Sequence, residues 1–136
     1  MKGPSKNQSD RYVISLFSGE MGLDIGLEKA GFKVVFANDV DETMVNTIKQ
    51  NFRELPTFCK DVRDLTADEI LSVTGLKKGE PFLVSGGPPC QPYSTAGLRL
   101  SIKDPRGSLF MDYVRLIAGL QPRFFIMENV VGLTNA

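Results

Sequence analysis

Tyr12 to Gly22 reads YVISLFSGEMG, and this stretch decides the fold. Its first six residues, Tyr12–Phe17, are apolar but for one serine and have the length and β-branched content of a buried strand. Gly19 and Gly22 interrupt the run. Helical spacing begins at once in GLDIGLEKAG, Gly22–Gly31, with Leu23, Leu27 and Ala30 expected on one face and Gly31 as the stop. A strand feeding a helix through a glycine turn is half of an alternating unit, so the rest of the chain is read for repetition of that alternation.

The alternation recurs. KVVFA, Lys33–Ala37, reads as a second strand, and Asp41–Phe52 as a second helix with Met44, Val45, Ile48 and Phe52 at helical spacing. A short third strand is expected at Thr57–Cys59. TADEILSV, Thr66–Val73, has Thr66 and Glu69 in capping-box positions. PFLVS, Pro81–Ser85, is the fourth strand. Gly107–Leu120 is a long helix, and Arg123–Met127 the fifth strand. Strands alternating with helices imply a mostly parallel sheet with helices on both faces, an α/β class.

The chain has 136 residues, the size of one domain. Its 16 basic and 16 acidic residues cancel, which argues weakly against nucleic-acid binding through net charge by this chain alone. Two cysteines, Cys59 and Cys90, form no disulfide framework. With no histidine, proton transfer near neutral pH falls to carboxylates, lysine, cysteine or another molecule. No charged-then-apolar leader opens the sequence and no apolar run nears membrane-spanning length. A cytoplasmic or nucleoid-associated setting and no membrane partner are therefore expected, and no metal site is evident. Residues 1–11 read as a frayed N-terminal segment and 12–136 as the folded unit.

In parallel α/β sheets ligands bind beyond the carboxyl ends of the strands. The unusual residues all fall there. Phe17-Ser18-Gly19 follow strand one, Asn38-Asp39 strand two, Asp61 strand three, Gly86 to Ser94 strand four, and Glu128-Asn129 strand five. Gly19 and Gly22 allow backbone to approach a ligand closely, and Asp39 is placed to accept from ribose hydroxyls. Asp61 adds an acceptor suited to an adenine amino group. No G-x-G-x-x-G is present, because Met21 stands where a second glycine would, so a nucleoside ligand without pyrophosphate fits better than a dinucleotide. Alternatively, the glycines are mere turn residues and Asp39 caps the next helix.

On the other side, GGPPCQPYS sets Cys90 on a loop stiffened by Pro88, Pro89 and Pro92. Neighbouring strand ends lie about 5 Å apart. Cys90 and Glu128, 38 residues apart in sequence, can thus face one pocket. Cys59 lacks such a context and reads as a packed thiol.

These residues resemble the first part of the C5-cytosine DNA methyltransferase family. The likeness rests on Phe17-Ser18-Gly19 with Gly22, Asp39, Asp61, Gly87-Pro88-Pro89-Cys90-Gln91, Asp104-x-Arg106-Gly107-x-Leu109-Phe110 and Glu128-Asn129-Val130, and runs from Tyr12 to the end. Met21 departs from a usual Gly-Gly pair, and Asp39 stands where many members have Glu. The resemblance implies a Rossmann-like methyltransferase fold with S-adenosylmethionine as cofactor. It implies Cys90 as nucleophile toward C6 of cytosine and Glu128 as the group that holds N3 and the exocyclic amine while keeping or sharing a proton. Asn129 would orient the Cys90 loop. Phe17, Ser18, Gly19, Gly22, Asp39, Val40, Asp61, Val62, Pro89 and Leu109 would contact the cofactor, and Gln91, Ser94 and Arg106 the substrate. Arg99 and Lys103 would either touch phosphate or lie in solvent. The base would be flipped out of double-stranded DNA.

The family's later strands, its target-recognition region and a final helix are not in this sequence. A partial catalytic domain, incomplete at its C-terminal end and completed by a further chain or portion, is therefore expected. Two other readings stand beside it: a tRNA cytosine-5 methyltransferase, and a cofactor- or partner-binding fragment without turnover.

Overall fold

A computed structural model describes residues 11–89 and 108–129. Five parallel strands form one sheet in the order β3-β2-β1-β4-β5: β1 Tyr12–Leu16, β2 Lys33–Asp39, β3 Thr57–Cys59, β4 Leu83–Gly86 and β5 Phe124–Met127. Four helices connect them: α1 Gly22–Lys29, α2 Glu42–Asn51, α3 Ala67–Thr74 and α4 Ser108–Leu120. The strand order reverses direction between β1 and β4, which makes the gap above those two strands the topological switch point.

Side chains alternate across the sheet, and each face builds its own core. Val13, Val34 and Leu83 meet Met21 and Leu27 of the first loop and helix and Ile48 of α2. Ile14, Leu16, Phe36 and Val84 meet Ile70 of α3 and Tyr113, Leu116 and Leu120 of α4. Both faces of the sheet are thus covered at β1, β2 and β4, as the alternating sequence predicts. Gly119 of α4 lets α3 approach closely, since a Cβ there would lie 2.6 Å from the Ala67 methyl.

The element ends are set by identifiable groups. Thr66 and Glu69 form the predicted capping box of α3. Asp41 is the N-cap of α2, accepting from the Thr43 and Met44 amides. This settles one alternative from the sequence, because Asp39 is not the helix cap. Phe17 does not extend β1. Its φ of 51° turns the chain out of the strand.

One expectation for α1 is corrected. Asp24 and Leu27 are its buried residues, whereas Leu23 is 41 % exposed and Ala30 is exposed. The reason is that Met21, at the N-cap, tucks its side chain into the core at 1 % exposure and so rotates the buried face. Met21 holds the left-handed conformation (φ 67°) that a glycine takes without strain. That conformation costs a non-glycine residue about 1–2 kcal/mol, and burial of the thioether chain offsets a cost of that order.

Candidate active site at the strand ends

The loop after β1 is fastened to β2 by three short contacts, and a fourth holds Asp39 to the turn that follows it. The Ser18 amide donates to the Asn38 carbonyl (2.9 Å), and Ser18 Oγ accepts from the Asn38 amide (3.1 Å). Gly19 N–H donates to Asp39 Oδ2 (2.8 Å), and the Asp41 amide to Asp39 Oδ1 (2.9 Å). Each carboxylate oxygen of Asp39 therefore accepts one amide and keeps one further acceptor site. Val40, the next residue, leaves its apolar side chain 66 % exposed. A fixed carboxylate with spare capacity beside an uncovered apolar side chain suits a ribose and a flat base.

Asp61, beyond β3, is held more tightly than the sequence suggests. Its Oδ1 accepts from the Arg63 amide and Nε, and its Oδ2 from Arg63 Nη2 at 2.7 Å. These bonds hold the Asp61 carboxyl below the usual carboxylate range. Val62 is buried in the core, so only its backbone can serve a ligand. Leu109 is half-buried against the same core, and Pro89 is exposed. Gly22 opens α1 at the surface.

Between β1 and β4 lies a cavity of about 210 Å³, lined among others by Phe17, Ser18, Leu23, Asp24, Gly87 and Glu128. It sits at the switch point, where the topology places ligands. Phe17 is half-buried, its ring 6.4 Å from that of Tyr113.

The β4 and β5 ends are joined as their expected proximity requires. Gly86 pairs with Met127, and the Glu128 amide donates to the Gly86 carbonyl at 2.9 Å. A Cβ on Gly87 would lie 2.8 Å from Glu128 Oε2, and one on Gly86 would lie 2.7 Å from the Tyr113 ring. Gly86 therefore needs glycine, pressed between the Tyr113 ring and the Leu16 carbonyl, whereas a side chain at Gly87 would displace the Glu128 carboxylate. Asn129 Nδ2 donates to the Pro88 carbonyl at 3.3 Å. Tyr113 runs beneath both strands, donating toward the Ile126 (2.8 Å) and Val84 (3.3 Å) carbonyls. Burial pushes its phenol well above the ordinary value. Cys90, Gln91, Ser94 and Arg106 lie outside the described residues, as do Arg99, Lys103 and Val130.

Sequence reasoning passed over three buried polar residues. Ser15 of β1 and Ser85 of β4 are register partners, both at most 2 % exposed, and both donate to the Asp24 carboxylate at 2.8 and 3.3 Å. The available signal was a serine in each of two otherwise apolar strands and an acid one turn before the buried Leu27. Burial raises the Asp24 carboxyl above its ordinary range, against the lowering effect of the serine bonds.

Cys59 is exposed at the end of β3, its thiol 3.6 Å from the Val40 carbonyl. The expected packed thiol is thus corrected: a three-residue edge strand leaves nothing to cover it. Among the described residues no cluster of His, Cys, Asp and Glu could hold a metal ion, and no helix is long and apolar enough to cross a membrane.

A family model described as C-5 cytosine-specific DNA methylase matches residues 12–136. Type II methyltransferase M.FnuDI of Fusobacterium nucleatum is 41 % identical over 121 residues, which are 89 % of this chain and 33 % of the relative. Type II methyltransferase M.AquIA of Picosynechococcus sp. is 40 % identical over 126 residues, 93 % of this chain and 51 % of the relative. A crystal structure of an E. coli prophage protein, provisionally described as a DNA modification methyltransferase, superposes with a TM-score of 0.74. Its sequence identity is 37 %, over 90 % of this chain and 32 % of that one. The chain thus spans between a third and a half of the length of these relatives.

Proposed function

From the premise that this chain belongs to the C-5 cytosine-specific DNA methylase family, we propose that it forms the cofactor-binding and nucleophile-bearing part of a DNA cytosine-5 methyltransferase. The observation that carries this reading is the junction of β4 and β5. Glu128 stands against Gly87, and Asn129 bonds the Pro88 carbonyl, two residues before Cys90.

S-adenosylmethionine fits the strand ends. Asp39 has a free acceptor site on each oxygen, Val40 is uncovered beside it, and the cavity at the switch point lies open next to Phe17 and Ser18. Asp39 would take the ribose, Phe17 and Val40 the adenine faces, and Asp61 with the Val62 backbone the adenine edge. Ser18, Gly19, Gly22, Pro89 and Leu109 would complete the walls. When bound, the cofactor supplies an electrophilic methyl group.

Cytosine C5 is a weak nucleophile, and the chain's own residues address that. Attack of the Cys90 thiolate on C6 forms a carbon–sulfur bond and moves the ring's electron pair toward C5. Glu128 would hold N3 and the exocyclic amine and supply or share the proton that balances charge there. Asn129 and the prolines fix the loop so that sulfur meets C6 in line. Gln91, Ser94 and Arg106 would contact the flipped nucleotide. A complementing C-terminal portion would supply target recognition, with double-stranded DNA as partner and a cytoplasmic or nucleoid-associated setting. The folded unit is taken as residues 12–136.

Transfer of tritiated methyl to DNA and to tRNA, with and without a complementing C-terminal chain, tests the proposal. DNA with 5-fluorocytosine at the target should trap a covalent adduct, and Cys90→Ser should slow adduct formation by more than about 10³-fold, the scale of losing a nucleophile. Adduct formation at the wild-type rate in that variant would overturn the role of Cys90. Transfer to tRNA alone would overturn the choice of substrate.

A further inference from the structure

Beneath the cavity, a directed chain of hydrogen bonds crosses the sheet from β2 to β4. The Asn38 amide donates to Ser18 Oγ, Ser18 and Ser15 share a hydroxyl–hydroxyl bond of 2.8 Å, and Ser15 Oγ donates to Asp24 Oδ2. From the other side Ser85 Oγ donates to Asp24 Oδ1. The hydroxyl protons fix the direction. With the Ser15 proton on Asp24, Ser18 is the donor to Ser15 Oγ, its hydroxyl lying also 3.3 Å from the Ser15 carbonyl, so the hydroxyls of both loop and strand lead toward one carboxylate. A chain oriented in this way is strengthened along its length in a low-dielectric interior.

The position of the terminus matters. Ser85 is the last residue before Gly86-Gly87-Pro88-Pro89, the exit of β4. On the β5 flank that exit is held by the Glu128 amide on the Gly86 carbonyl and by Asn129 on the Pro88 carbonyl. On the α1 flank, Asp24 holds Ser85. Asp24 also lines the cavity that Phe17, Ser18 and Glu128 line, so the same carboxylate touches the floor of both halves of the site.

We propose that Asp24 is a positioning residue for methyl transfer: through Ser15 and Ser85 it sets the exit of β4, Gly86 to Pro89, against the cofactor loop. Its two oxygens accept from the two serines, so its role runs through them. This inference rests on the reading of the strand ends as a methyl-transfer site. An asparagine at this position keeps the volume but puts an NH2 donor in place of one of the two accepting oxygens, so the two serines no longer each meet an acceptor of their own. A purely structural role would instead lower stability and cofactor affinity together.

The test compares wild-type, Asp24→Asn and Ser85→Ala forms of the protein, completed by its C-terminal portion. Single-turnover methyl transfer is measured at saturating cofactor and DNA, with the S-adenosylmethionine dissociation constant and the thermal midpoint measured alongside. Asp24→Asn should slow transfer by at least about tenfold while cofactor affinity stays within about threefold, since Asp39 and Gly19 are untouched. Ser85→Ala should shift the rate in the same direction by less, and the double variant should be no slower than Asp24→Asn, because both changes cut one link. Wild-type rates in both single variants would overturn the proposal. So would a fall in rate matched by equal loss of cofactor affinity, or additive effects in the double variant. If Asp24→Asn fails to fold, an unaltered rate in Ser85→Ala overturns it, and a slowed rate at unchanged affinity supports it. Failure of the wild-type protein to transfer methyl would tell against the functional reading, not against this link.

Discussion

The two flanks of the sheet are built differently. Around β1, β2 and the loop between β1 and α1, most polar groups at the strand ends already have partners within the chain: Ser18 on Asn38, Gly19 and Asp41 on Asp39, Ser15 on Asp24. Around β5 the chain leaves large apolar side chains uncovered. Phe124, Phe125 and Ile126 are 60, 59 and 40 % exposed, and β5 has a pairing neighbour on one side only among the described residues. Strands of parallel sheets are ordinarily covered on both faces. The first flank is self-sufficient, and the second has the surface of an interior strand awaiting neighbours. The difference suggests that binding of a nucleoside ligand and chemistry on a base depend to different degrees on what lies outside this chain.

The largest expected effect concerns the open flank. Expressed alone, the 136-residue chain should associate with itself, because an exposed apolar strand edge presents unpaired backbone groups and apolar side chains together. Phe125→Lys should shift the mass measured by light scattering toward the monomer, since edge lysines are a common device against such pairing. A wild-type chain that stays monomeric at every concentration would erase the proposed contrast between the flanks.

A smaller effect is expected at the built flank. Asp39→Ala removes the acceptor for two amides and, on the proposed reading, for a ribose, and should weaken S-adenosylmethionine binding by about 1.5–3 kcal/mol in calorimetry. An unchanged dissociation constant would move the ribose site elsewhere.

The smallest effect is in pH dependence, and its sign differs between two carboxyls. Asp24 is raised by burial, so the folded state binds its proton more readily than the unfolded chain does. Its contribution favours folding at low pH and is lost as pH rises through the raised value. Asp61, lowered by Arg63, contributes stability above the ordinary carboxylate range that is lost as pH falls through its lowered value. Urea unfolding of wild type and Asp24→Asn between about pH 4 and pH 7 should show the variant gaining relative stability as pH rises. The opposite slope would mean that the serine bonds outweigh desolvation at Asp24.

Much of this was legible from residues close together in sequence. Apolar runs of strand length, helical spacing and the Thr66–Glu69 capping box located nine elements, and their ends differ from expectation by at most two residues. Alternation implied the parallel sheet, and that in turn placed Asp39, Asp61, Gly87 and Glu128 at strand ends. All of these are signals of short range, because propensity, capping and periodicity act within a turn or two of chain. The E-N-V and P-P-C motifs then named the chemistry.

What the sequence could not disclose depends on partners brought together by the sheet. Periodicity assigned the buried face of α1 to Leu23, Leu27 and Ala30, yet Met21 and Asp24 are buried with Leu27. Asp24 can be buried only because Ser15 and Ser85 meet it, and Ser85 lies 61 residues away. Likewise Tyr113 reads as one more apolar position on α4 until its hydroxyl is seen reaching carbonyls of β4 and β5. A buried polar group is tolerable only when its partners are in place, and those partners come from strands made neighbours by the fold. The sequence by itself determined which elements form and which residues stand at their ends. The tertiary structure decided which polar groups could leave water.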